Sequence, residues 1–237
     1  MVLQNKIAIL TGASRGLGSA IASALVSKGV IVYGIARNIN ALNALRNDLG
    51  DSFHPVQADI TNEQEITQWV RNTFSKEYCP DILINNAGIG SFSKIDETPA
   101  STWLEMVNTN LNGLFYITSQ VATLMKNKKE SSHIINIGSI LGKVGRTAAA
   151  AYCTTKFGVQ GFSEALFIEL RSFNIKVTCL NPGSIETDFF MSSGIRSHEN
   201  MLHPADIANT VVHLLETPDN MLINELTIRP LHPNAPH

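Results

Sequence analysis

The chain has 237 residues, 44% of them apolar, and its 18 basic and 20 acidic side chains leave a formal net charge of −2. That length suits one large α/β unit with a sizeable core, and the near balance of charge lacks the electrostatic footprint of a nucleic-acid or anionic-membrane binder. No apolar run reaches the roughly 18 residues of a membrane span, and no leader-like pattern opens the sequence. The three cysteines, Cys79, Cys153 and Cys179, are scattered and odd in number, which favours buried, reduced thiols and a cytoplasmic location.

In chain order, β-rich apolar runs at 6–10, 30–36, 53–58, 81–86, 133–138, 175–180 and 225–229 alternate with helix-period segments at 16–28, 39–48, 62–76, 101–126 and 151–172. Strands this continuously apolar, most of them followed by a helix, predict a parallel sheet buried on both faces with right-handed crossovers. The expected fold class is α/β, doubly wound, with about seven strands and one domain over 1–237. The stretch 184–204 fits neither element. It reads equally well as an irregular surface loop or, because Phe189, Phe190 and Met191 are apolar, as a lid over a site.

Two patterns carry chemistry. The first strand runs into "TGASRGLG" (11–18) and then an alanine-rich helix, so Gly12, Gly16 and Gly18 occupy a strand-to-helix turn. There the missing side chains let backbone approach a ligand, and the helix N-terminus offers free N–H groups to a pyrophosphate. The spacing is not GxGxxG, and any tight turn can use glycines; the place at the first turn of a parallel fold is what gives the pattern weight. Later, "AYCTTKFG" (151–158) sets Tyr152 and Lys156 four residues apart. On a helix these share a face, whereas a strand would separate them by about 13 Å. A surface tyrosine with a lysine stem laid along the helix is the commoner use of that spacing. The seven histidines show no ligand spacing with cysteine or carboxylate, so no metal site is expected.

Taken together, the ordered motifs resemble those of the short-chain dehydrogenase/reductase family over nearly the whole chain. "TGASRGLG" is similar to its glycine motif, Asp59 and Ile60 in "ADIT" to the segment beside the adenine, and Asn86, Ala87 and Gly88 in "NNAG" to the fourth-strand motif. Asn110 in "NTNLNG" resembles the family's asparagine, Ser139 in "INIGS" its serine, and Tyr152 with Lys156 its YxxxK pair. "NPGSIET" (181–187) resembles the turn that meets the nicotinamide. The resemblance implies a Rossmann-like fold with Asn110, Ser139, Tyr152 and Lys156 as the catalytic group. It also implies a dinucleotide held by Gly12, Ser14, Arg15, Gly16, Leu17, Gly18, Arg37, Asp59, Ile60, Asn86, Ala87, Gly88, Tyr152, Lys156, Pro182, Gly183, Ile185 and Thr187.

The implied chemistry needs these residue types. Carbonyl reduction requires a hydride at carbon and a proton at oxygen, and a phenol titrating at about 10 is a reluctant partner for reversible proton exchange. A lysine cation and an oxidised nicotinamide are expected to lower the Tyr152 pKa, Ser139 to hydrogen-bond the substrate oxygen, and Asn110 to anchor a water behind the lysine. The second strand ends in "GIARN", where Ala36 leaves room and Arg37, with Arg15, supplies donors for a 2′-phosphate; NADP(H) is therefore expected over NAD(H). Ile140, Leu141, Phe189 and Phe190 are expected to line the substrate space, and Arg146 either meets an acid group or is an ordinary surface arginine. The ending "INELTIRPLHPNAPH" lacks the glycine-rich "DGG" of many relatives and is more like small carbonyl and alcohol dehydrogenases, hydroxy-acid dehydrogenases and bacterial sepiapterin reductases. The leading expectation is an NADPH-dependent carbonyl reductase or alcohol dehydrogenase. The rivals are a 3-oxoacyl-(carrier protein) or sepiapterin-type reductase and a dinucleotide-binding regulator without turnover. Apolar residues around much of 101–126 and 151–172 predict self-association, and the resemblance implies a homodimer or homotetramer.

Overall fold

The computed structural model describes residues 1–187, 189 and 198–232. Seven strands, β1 (Ile7–Thr11), β2 (Ile31–Ala36), β3 (Phe53–Gln57), β4 (Ile82–Asn85), β5 (Ser132–Ile137), β6 (Ile175–Pro182) and β7 (Glu225–Ile228), form one sheet in the order β3-β2-β1-β4-β5-β6-β7. Every neighbouring pair is parallel. The α/β doubly wound expectation therefore holds. Strand order reverses between β1 and β4, and in such sheets the crevice beyond the carboxyl ends at that point is where ligands bind.

Alternation along the strands explains why they read as unbroken apolar runs. Ala8, Leu10, Ile82 and Ile84 enter one core, whereas Ile7, Ile9 and Leu83 enter the other, as successive side chains on a strand must. The first core is closed by α1 (Gly16–Ser27) through Ile21 and Leu25 and by α7 (Pro204–Glu216) through Ile207, Val211 and Leu214. The second is closed by α3 (Glu63–Thr73) through Ile66 and Val70 and by α5 (Gly113–Met125) through Ile117, Val121 and Met125. The remaining helices are α2 (Ile39–Leu49), α4 (Ala100–Val107) and α6 (Ala150–Leu170). Among the described residues no helix is long and apolar enough to cross a membrane. All three cysteines are buried and unpaired.

Two elements differ from the sequence-based expectation. The helix expected over 101–126 is helical throughout but widens into a π-helical turn at Asn108–Asn112, between α4 and α5. Such turns frequently mark functional sites. Helix α7 is not among the segments named from periodicity, although its start is well signalled: Pro204 opens it, and the Asp206 carboxylate accepts the His203 backbone N–H at 2.9 Å.

The sheet contains one buried imidazole with a defined protonation. The Thr178 hydroxyl donates to Ile223 O at 2.6 Å, so at its 2.8 Å contact with His133 Nε2 it accepts, and the proton sits on Nε2. Among the described residues His133 Nδ1 has no hydrogen-bond partner. Burial, helped by the Lys176 ammonium, pushes the His133 pKa down to about 3. Because the folded pKa lies below the unfolded value, the unfolded chain binds the extra proton as pH falls below about 6.5, and stability is lost through that window. Between pH 7 and pH 5 this group should cost about 2 kcal/mol. Urea midpoints measured across that range should fall more steeply for the native chain than for His133→Gln; parallel slopes would refute the assignment.

Candidate active site

The crevice at the β1/β4 reversal is a cleft of about 510 Å³. Its floor is built from the β1–α1 turn. Gly12 and Gly16 adopt φ of +67° and +56°, a region that disfavours side chains, and a Cβ on Gly18 would lie 2.0 Å from Gly12 O. The turn is tied to the end of β4 by Thr11. Its Oγ1 accepts the backbone N–H of Asn86 and of Ala87, each at 3.0 Å, while the Asn86 side-chain amide donates to Thr11 O at 3.0 Å and Gly12 O at 3.2 Å. Two of the quoted motifs, at 11–18 and 85–88, therefore form one hydrogen-bonded cradle, with the α1 N-terminus beside it.

Ser14, Arg15, Gly16, Leu17, Ala36, Arg37, Asp59, Ile60 and Gly88 line the cleft around this cradle. Arg15 and Arg37 are exposed. Asp59 spends one oxygen on its own turn: Oδ1 accepts Thr61 N–H at 2.9 Å and the Thr61 hydroxyl at 2.8 Å. Pro182, Gly183, Ile185 and Thr187 close the other side, and Thr187 lies 3.4 Å from where a Cβ on Gly16 would be. The residues present fit a dinucleotide: a backbone cradle that excludes side chains, free N–H groups and exposed cations at the β2 end.

At the inner end Ser139, Tyr152 and Lys156 come together. All three are buried, at 8, 7 and 6% exposure. Helix α6 places Tyr152 and Lys156 on one face as the spacing predicts, with the ammonium 5.8 Å from the phenol ring centre. Lys156 Nζ donates to Ile137 O at 2.8 Å, which leaves two N–H donors for a ligand. The Ser139 hydroxyl lies near the Tyr152 phenol and lowers its pKa, and Ser139 Oγ accepts Leu141 N–H at 3.1 Å.

The acidic phenol is expected from the lysine and the nicotinamide together; the protein's own groups act in the opposite direction. Among the protein's own groups burial dominates and pushes Tyr152 up to about 12, while the nearby Ser139 hydroxyl pulls the other way. Burial also lowers Lys156 to about 8, partly offset by Cys179. Both groups lose hydration for their charged forms, and at 5.8 Å the ammonium does not outweigh that loss at the phenol. At neutral pH the result is a protonated phenol beside a charged lysine.

Asn110 lies outside the cleft lining, where its neighbour Thr109 stands instead. At the centre of the π-turn, its side chain accepts Ile89 N–H and donates to Ile89 O, both at 2.9 Å, and donates to Thr155 Oγ1 at 3.0 Å. It splints the segment after β4 to α6. The expected substrate residues Ile140, Leu141 and Phe189 do line the cleft, and the Phe189 ring lies 5.9 Å from that of Tyr152. Phe190 lies outside the described residues, as do 188 and 191–197, so much of the expected lid falls there too.

Residues that sequence reasoning did not single out back the serine. Ser139 N–H donates to Asn181 Oδ1 at 3.1 Å, Asn181 Nδ2 to Gln160 Oε1 at 2.8 Å, and Gln160 Nε2 to Glu225 Oε2 at 2.9 Å. Lys143 pairs with the other Glu225 oxygen. A Cβ on Gly138 would fall 2.0 Å from Asn181 Oδ1, so the glycine before the serine makes room for this relay. Phe92 was also missed; it stands 5.3 Å from the Tyr152 ring, and its only signal was a place in the loop after "NNAG".

A nucleotide cradle at the strand-order reversal, with a serine, a tyrosine and a lysine converging beyond it, defines a dinucleotide-dependent oxidoreductase class. Residues 6–198 match the family model for short chain dehydrogenase, and the chain belongs to that family. It is 35% identical over 231 residues to an uncharacterized oxidoreductase of Staphylococcus aureus (strain N315), covering 97% of this chain and 99% of the relative. Among solved structures it is similar to the 3-ketoacyl-(acyl-carrier-protein) reductase from Brucella melitensis complexed with NADH, with a TM-score of 0.90 and 27% identity over 98% of this chain and all (100%) of that one. It is also similar to the closed form of a serine dehydrogenase complexed with NADP+, with a TM-score of 0.87 and 28% identity over 94% of each chain. Such enzymes use a nicotinamide dinucleotide.

Loosening the relay behind the serine should separate chemistry from binding. Asn181→Ala is expected to lower kcat about tenfold while KM changes less than about twofold, because it misplaces an oxygen donor without touching the cleft. Unchanged kcat in steady-state assays would show that Ser139 is held by other means.

Proposed function

We propose that the chain is a single-domain NADP(H)-dependent oxidoreductase that interconverts a carbonyl and a secondary alcohol, with 184–204 as its substrate lid. The observation that carries this reading is the convergence of buried Ser139, Tyr152 and Lys156 on one cleft, with the Lys156 ammonium 5.8 Å from the phenol ring, beyond the glycine-turn cradle. When bound, the nicotinamide supplies or takes the hydride. Ser139 orients the carbonyl oxygen and stabilises the charge that grows on it. Tyr152 gives that oxygen its proton, so hydride and proton together complete the alcohol. Lys156 holds the cofactor's ribose with its spare donors and supplies positive charge beside the developing phenolate. A phenol held protonated at neutral pH favours the reductive direction there, and oxidation is expected to gain as pH rises.

The phosphate preference rests on the rim at the end of β2, where Ala36 and the exposed Arg37 take the place of a carboxylate and Arg15 adds a second cation. One neighbour holds NADH and another NADP+, so the preference depends on this chain's own residues. The unpaired, buried cysteines fit a cytoplasmic protein. Leu104, Phe115, Phe157 and Ile168, exposed on α4, α5 and α6, support a homodimer or homotetramer built through those helices. A second reading, reduction of carrier-linked 3-oxoacyl groups, is favoured by the name of the Brucella melitensis neighbour.

Tyr152→Phe removes only the ionisable oxygen and should reduce turnover at least about 100-fold while NADPH binding, followed by fluorescence, persists. A rate within a few-fold of the native chain would remove Tyr152 from the mechanism. Arg37→Ala should raise KM for NADPH about tenfold and leave that for NADH nearly constant; equal effects on both would overturn the assigned phosphate contact.

A further inference from the structure

Resting on the oxidoreductase reading, we infer that Arg146 recognises a carboxylate and that the substrate is a short oxo or hydroxy acid. Arg146 sits between β5 and α6, lines the cleft, and holds its guanidinium 5.4 Å from the centre of the Phe92 ring. That ring in turn lies 5.3 Å from the ring of Tyr152. The cation thus lies over the very side chain that packs against the proposed proton donor. Contact with the ring holds the cation near this end of the cleft, and a guanidinium brings five N–H donors in the fork suited to a carboxylate.

Arg146 is exposed, and two further observations bear on what it can bind. Among the described residues it has no acidic partner, and the only carboxylate lining the cleft, Asp59, lies toward the other end and is engaged by Thr61. The segment that carries it is also held in an unusual shape: Ala148, two residues on, adopts a φ of +55°, a conformation that costs a non-glycine residue free energy and persists only where its surroundings impose it. The rest of the lining near Tyr152, namely Ile89, Ile140, Leu141 and Phe189, is apolar. With Ser139, Tyr152 and Lys156 committed to the carbonyl and the cofactor, Arg146 is the one further cation among the described residues lining this end, which selects a compact substrate with a single negative group. Its carbonyl would meet Ser139 and Tyr152 while its carboxylate meets Arg146. Bulky neutral ketones gain nothing from that cation.

The test is a chain-length series: acetoacetate, 4-oxopentanoate and 5-oxohexanoate, each beside its methyl ester, assayed by NADPH absorbance with the native protein, Arg146→Met and Arg146→Lys. At least one acid should exceed its ester in kcat/KM by about tenfold, mainly through KM, and the favoured length reads the span from Tyr152 to Arg146. Arg146→Met, which keeps an apolar stem against Phe92, should lower the acid-to-ester ratio about tenfold, and Arg146→Lys should lower it less. Ester turnover with no acid preference, or a ratio that Arg146→Met does not move, overturns the inference while leaving the oxidoreductase reading intact. Failure of every acid and ester, and of simple neutral ketones, overturns both.

Discussion

Burying an ammonium and a phenol one helical turn apart, in a cleft made largely of backbone and apolar side chains, is the constraint around which the site is organised. Each charged form loses water, which is why Lys156 is pulled down to about 8 and Tyr152 pushed up to about 12. The compensation is local and specific: Ile137 O for the ammonium and the Ser139 hydroxyl for the phenol. Both partners come from the end of β5 or just beyond it, so α6 must approach that strand closely. Glycine makes this possible at Gly142, where a Cβ would lie 2.7 Å from Lys156 O. The lysine's position, the serine's position and the packing of α6 are therefore one structural decision.

The sheet explains why this occurs at one end only. Because every strand is parallel and both faces are covered, all carboxyl ends open on the same side, and the reversal between β1 and β4 leaves a gap there that no crossover fills. The Thr11 hydroxyl, accepting two N–H groups from the end of β4, holds that gap at a fixed width. The same sheet end carries Ser139 and the Asn181 relay from β5 and β6, so cradle and reacting groups share one rigid frame rather than resting on separate loops.

How much was legible in the sequence follows from how far apart the causes lie. The strands were readable because burial on two faces forces continuous apolar runs, and the Tyr152–Lys156 geometry because helical periodicity alone sets it. The glycine turn was readable because its requirement is a local backbone shape. What escaped depends on partners distant in sequence. The π-turn at Asn108–Asn112 is stabilised through Asn110 by Ile89 and Thr155, and no local pattern announces it. The Asn181–Gln160–Glu225 relay joins three separate elements. The protein's own contribution to the Tyr152 pKa escaped for a related reason: spacing shows that a cation is near, but the opposing cost of burial exists only once α6 has packed.

The same distinction divides the cleft itself. Its cofactor half is formed mainly by backbone at turns and strand ends, so the residues that matter are those the chain path demands, and proteins sharing that path can share the cofactor. The end around Tyr152, proposed for the substrate, is formed by side chains from three separate segments, carrying Phe92, Arg146 and Phe189. No turn geometry dictates what those side chains must be; they can change while the sheet, the cradle and the Ser139–Tyr152–Lys156 group remain as they are. A close fold match to a ketoacyl reductase and to a serine dehydrogenase at once is what such a division produces. Substrate choice must then be argued from the few side chains facing Tyr152, and among those only Arg146 brings a charge that the carbonyl chemistry does not already require.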